Sequence, residues 1–126
     1  MATARELTAE EVLQYRAAAR RRHQAEQSAL APREQQAWGL ARRAATLLRD
    51  QFRAVHVVVF GSLVHSGCFT EWSDVDIAAV GIHPRDTLRV MELVQSLSPA
   101  IAVNLVDLAA CSGSLRSVID REGIPL

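Results

Sequence analysis

The chain of 126 residues contains no lysine: all 14 basic residues are arginine, matched by 14 acidic ones for a formal net charge of zero. Zero net charge, with aromatics at only 5% of residues, argues against a dedicated nucleic-acid binder, which needs a basic field and stacking platforms. Two cysteines, Cys68 and Cys111, are too few for a disulfide scaffold and lack metal-type spacing. No apolar run approaches the ~18 residues that a membrane span requires; stretches such as Val57-Val58-Val59-Phe60 are strand-sized. The opening Met1-Ala-Thr-Ala-Arg-Glu has no charged segment leading into an apolar one. No signal peptide is therefore expected, and a reducing cytoplasm is the expected location.

What is present is a globular composition, 49% hydrophobic and 22% charged, at a length that suits one domain over residues 1–126. The charge is unevenly divided. Residues 1–53 hold ten Arg and six acids (+4), and residues 54–126 hold four Arg and eight acids (−4). The acidic part is short of basic side chains around any phosphate site, a shortage that a cation would remedy, whereas the arginine-rich part offers a face to a partner protein.

Thr8 and Glu11 form a capping box that opens a helix over 8–30. Its apolar face, Val12, Tyr15 and Ala19, fades into Arg20-Arg21-Arg22-His23, and such a face is commonly completed by another subunit or a second copy of the chain. Pro32 suits the first turn of a second helix, in which Trp38, Ala41, Ala45, Leu48 and Phe52 recur at core spacing. The pattern thus predicts an N-terminal helical hairpin over 1–53 and a sheet core over 54–126. Val55–Phe60, Asp74–Val80 and Ile101–Leu108 read as strands, with helices from about His83 to Leu97 and from Ser114 to Glu122. The expected class is α/β (α+β), a small mixed sheet with helices on one face.

Two features carry chemistry. Gly61-Ser62 ends a buried strand, where glycine permits a tight turn and close approach to a ligand, and backbone amides with the Ser62 hydroxyl can face a phosphate. Asp74-Val75-Asp76 places two carboxylates on one face of the next strand, an unfavourable pairing that a divalent cation relieves. Alone, the first is also a common plain turn and the second a solvated strand end.

Together, with eleven residues between Ser62 and Asp74, they resemble the nucleotidyltransferase superfamily that includes DNA polymerase beta. Phe60-Gly-Ser-Leu-Val-His-Ser-Gly, Trp72-Ser-Asp-Val-Asp-Ile-Ala, Val103-Asn-Leu-Val-Asp-Leu and the ending Ile119-x-x-Glu-Gly resemble more narrowly the minimal nucleotidyltransferases, often antitoxin partners of helical HEPN toxins. The resemblance implies a polymerase beta-like fold and transfer of a nucleotide monophosphate, AMP above all, from a nucleoside triphosphate such as ATP to a hydroxyl, which in some antitoxins is a tyrosine of the toxin. It further implies that Gly61 and Ser62 hold the triphosphate and that Asp74 and Asp76 bind Mg²⁺. The family's third carboxylate falls at Asn104. Ile101, Val103 and Leu105 form the bulky row of that strand and Ala102 and Asn104 the smaller one, so Asn104 is expected beside the aspartates, offering an amide oxygen as a ligand but no proton acceptor. Asp107 alternates to the opposite face. Asp74, Asp76 and Asn104 are the expected catalytic set. The rival expectation is a weakened enzyme that serves as a non-catalytic partner-binding module. His65 is expected to pack more than to touch phosphate, and Trp72 to brace the loop before Asp74.

Overall fold

The computed structural model describes residues 8–126. Helix α1, Ala9–Phe52, begins as the capping box dictates: the Thr8 side chain accepts from the Glu11 N–H at 3.1 Å. It ends at Arg53, whose backbone enters the left-handed region (φ 60°) and returns its N–H to the carbonyls of Arg49 and Leu48.

The expected break at Pro32 does not occur. An interior proline loses its own helical N–H bond and crowds the carbonyl one turn before, at a cost of about 3 kcal/mol, but helix-favouring Ala, Glu, Gln and Arg flank it on both sides with no turn-forming residue to reverse the chain. The hairpin is therefore replaced by one rod of 44 residues, about 66 Å long at ~1.5 Å per residue. Its described side chains before Ala37 are exposed or half-buried. From there Ala37, Leu40, Ala41, Ala44, Ala45 and Leu48 are buried, a stripe dominated by alanines that lets the helix lie close on the sheet.

Strand β1 (His56–Phe60) leads through a 3₁₀ turn (Gly61–Val64) to β2 (Val75–Val80). A second 3₁₀ turn, Pro84–Asp86, runs into α2 (Thr87–Gln95), followed by β3 (Val103–Asp107), α3 (Gly113–Glu122) and a short β4 (Ile124–Pro125). The sheet order is β3-β2-β1-β4. β1 runs antiparallel to β2 and β4, and β2 runs parallel to β3, so the sheet is mixed, as expected.

One face of the sheet, with Val57, Val59, Val75, Ile77, Val103 and Leu105, packs under α1 and the Val90 and Val94 side of α2. The other face departs from the expectation that all helices share one side. Ile119 and Leu115 of α3 pack there on Phe60, Ala78 and Leu108, because the even-numbered residues of β1 and β2 are also partly apolar and need cover. No helix among the described residues is long and apolar enough to cross a membrane.

Candidate functional site

Strand alternation sends Val75 and Ile77 into the α1 side and leaves Asp76 on the α3 side, half-buried, with Asp74 exposed at the strand's mouth. Register then assembles the site. Asp76 lies opposite Phe60 on β1 and opposite Asn104 on β3, so residues distant in sequence form one row across the three strands. The residue after Phe60 is Gly61, with φ +77°. A Cβ built there would lie 2.6 Å from Asp76 Oδ2, which means that the Gly-Ser bend and the second aspartate are in contact and that only glycine leaves room for both. Buried Leu63 anchors the 3₁₀ turn, and the Ser62 carbonyl takes the His65 N–H at 3.3 Å.

Asn104 occupies the expected position, but it turns the other end of its amide to the aspartates. Its Nδ2 donates to Asp74 Oδ2 at 3.2 Å and to Asp76 Oδ1 at 3.3 Å. Ionised carboxylates only accept, so the amide nitrogen is the end that satisfies both. The amide oxygen expected as a ligand faces away. Burial pushes the Asp76 carboxyl above its ordinary value, the Asn104 hydrogen bond opposes that shift, and the neighbouring Asp74 charge adds to it.

Two carboxylate oxygens thus converge on one point, the Asn104 amide nitrogen. Among the described residues no three His, Cys, Asp or Glu side chains gather as a metal-binding group, in keeping with an amide at residue 104. Asp107 stands apart, its Oδ1 taking the Ala109 N–H at 3.0 Å to close the turn after β3.

The loop before Asp74 is braced without Trp72, whose side chain is 86% exposed. Thr70 and Ser73 bond each other within the loop, the Thr70 N–H to Ser73 Oγ at 2.9 Å and the hydroxyls at 3.1 Å. Arg33 of α1 donates to the carbonyls of Thr70 (3.3 Å), Ser73 (3.4 Å) and Ala100 (3.3 Å) and lies over the Phe69 ring at 5.7 Å. One guanidinium thus ties together the approaches to β2 and β3. Sequence reasoning missed it. The available signal was its place four residues before Ala37, in line with the buried stripe of α1. His65 bonds Glu122 through Nε2 and Oε2 at 3.1 Å, linking the end of the Gly-Ser turn to the end of α3.

No family model and no curated protein matches the sequence. Solved structures do. A toxin–antitoxin complex with AMP-PNP contains a chain 25% identical, at TM-score 0.58, over 68% of this chain and 70% of that one. A mutant of the toxin–antitoxin pair MntA–HpeT aligns at 26% identity and TM-score 0.56, over 68% and 69%. A complex of tri-AMPylated Shewanella oneidensis HEPN toxin with its MNT antitoxin aligns at 22% and TM-score 0.54, over 71% and 70%. The chain shares its fold with the matched chains of these toxin–antitoxin complexes. The row of Gly61, Asp76 and Asn104 lies at one end of β1, β2 and β3, beside the part of the sheet that α3 covers.

Proposed function

We propose that this chain is a nucleotidyltransferase that moves AMP from ATP to a hydroxyl acceptor and acts as the antitoxin of a HEPN-type toxin. The observation that carries the reading is the contact between the Gly61 bend and Asp76, with Asp74 and Asn104 closing the other side. The neighbour with AMP-PNP supports the nucleotide, and the neighbour with an AMPylated toxin supports the acceptor.

Gly61 lets the bend close onto the Asp76 carboxylate, which sets Ser62 and the amides of its turn beside the aspartates, where they can donate to phosphate oxygens. Asp74 and Asp76 would hold Mg²⁺, which when bound would neutralise phosphate charge as the acceptor oxygen bonds the α-phosphorus and pyrophosphate leaves. The acceptor hydroxyl must lose its proton, and Asn104, a neutral amide, cannot take it; Asp74 and Asp76 are the carboxylates within reach of the same point. The exposed first part of α1 is the surface offered to the toxin or to a second copy, and the free thiols of Cys68 and Cys111 suit a cytoplasmic setting.

Asn104 also favours a second reading, a partner-binding module with little or no transfer. Incubation with α-labelled ATP and a HEPN protein separates the two. Label on the HEPN protein that is lost in Asp74→Asn supports the enzyme. Tight HEPN binding without label, unchanged by Asn104→Asp, supports the module.

A further inference from the structure

We propose that the chain carries a second binding site, for a small phosphate-bearing molecule, in the cavity between the end of α1 and the end of β2. The cavity has a volume of about 470 Å³, within the range of about 300–1,000 Å³ typical of small-molecule sites. Phe52, Arg53, His83, Arg85 and Asp86 line it. It lies away from the aspartates: His56 and Val80 pair at its end of the sheet, whereas Phe60 and Asp76 pair at the other. The extended chain from Asp76 to Val80 spans about 13 Å. Gly81, which also lines the cavity, brings its walls together. A Cβ there would meet the Val55 side chain at 2.9 Å and the Arg53 carbonyl at 3.4 Å.

Arg53 points to a ligand first. Among the described residues it alone, glycines aside, has a positive φ (60°), and it does so where α1 ends. A helix that ends in the left-handed region usually does so on glycine, which enters it without steric cost; arginine enters it under strain. The cap needs only the backbone N–H, which returns to the carbonyls of Arg49 and Leu48. The Arg53 guanidinium makes no hydrogen bond or ion pair among the described residues, nor does that of Arg85, and the carboxylate of Asp86 is spent on neither. Backbone strain kept for a side chain that the fold does not use marks a functional position.

His83 adds a third donor. Its Nδ1 accepts the Arg85 N–H at 3.2 Å, so the neutral ring carries its proton on Nε2. Two guanidinium forks and a ring N–H lining one cavity form a donor set for phosphate oxygens, and the two positive charges match a phosphate monoester dianion. The half-buried Phe52 offers an apolar wall, and Asp86 can accept from a hydroxyl. A phosphorylated nucleoside has all three parts: a phosphate, sugar hydroxyls and a flat ring.

The test uses AMP as the probe, its binding followed by isothermal titration calorimetry in EDTA, with adenosine as the uncharged control. Wild type is expected to bind one AMP per chain with a Kd below about 1 mM, and adenosine about tenfold or more weakly. Arg53→Gly is the decisive variant. It is expected to bind AMP about tenfold more weakly and yet to melt at a higher temperature than wild type, because the strain leaves with the guanidinium. Arg85→Ala is expected to lose affinity to the same degree, and Asp74→Asn to bind AMP as wild type does. Wild type that does not bind AMP, adenosine bound as tightly as AMP, or an affinity unchanged in either arginine variant overturns the proposal. AMP binding that is lost in Asp74→Asn places AMP at the aspartates instead and overturns it as well.

Discussion

Replacing Gly61 by alanine probes the contact on which the site is built, and its cost divides into two parts. The backbone at residue 61 has φ +77°, a conformation that costs an L-residue about 1–2 kcal/mol. The new Cβ would also stand 2.6 Å from Asp76 Oδ2 and 3.4 Å from Cγ, so the carboxylate must swing away and loosen its bond to Asn104, adding about 1–2 kcal/mol. Urea unfolding should therefore show Gly61→Ala destabilised by about 3 kcal/mol. In an Asp76→Ala background the offending atoms are gone. The Cβ of residue 76, at 3.5 Å, is an ordinary contact. Gly61→Ala should then cost only the backbone share, and the double-mutant cycle should return a coupling of about 1–2 kcal/mol. A Gly61→Ala cost below about 0.5 kcal/mol, or the same cost in both backgrounds, would refute the packing of the bend on the aspartate.

Arg33→Ala removes the guanidinium bonds to Thr70, Ser73 and Ala100; these are long and mostly exposed, so about 2 kcal/mol and a melting temperature about 5–8 °C lower are expected, and an unchanged melting curve would contradict the bracing role. Asp76→Asn should alter the pH dependence of stability. Burial raises the folded-state value of Asp76 above the ordinary 3.8, so the folded chain holds that proton more tightly than the unfolded one. Stability from this group is present in full below the unfolded value and is lost as pH rises through the raised folded one. Melting curves of both proteins across that range should show wild type losing ground to Asp76→Asn as the acid ionises, and a constant difference would contradict it.

The aspartates and the Gly-Ser bend were legible because strand alternation is a local rule: Val75 and Ile77 declare the buried face, and Asp76 must take the other. The place of Asn104 was legible for the same reason. Its orientation was not, because which end of an amide turns inward depends on what it meets across the sheet. Arg33 left no motif, since its partners lie 37, 40 and 67 residues away. Pro32 misled because the helix-favouring residues on both sides of it carry α1 through the proline in spite of its cost. The side taken by α3 was hidden in the mixed character of β1, where Val58 and Phe60 are apolar on the face opposite Val57 and Val59. The two residues of β4 were too few to show a period.

The central claim is that the Gly61 bend and the two aspartates form a magnesium-dependent triphosphate site. Transfer from α-labelled ATP to a HEPN acceptor, with and without Mg²⁺, tests it most directly. Labelling by wild type that requires Mg²⁺ and disappears in Asp74→Asn is the predicted result; labelling by Asp74→Asn equal to wild type would contradict it.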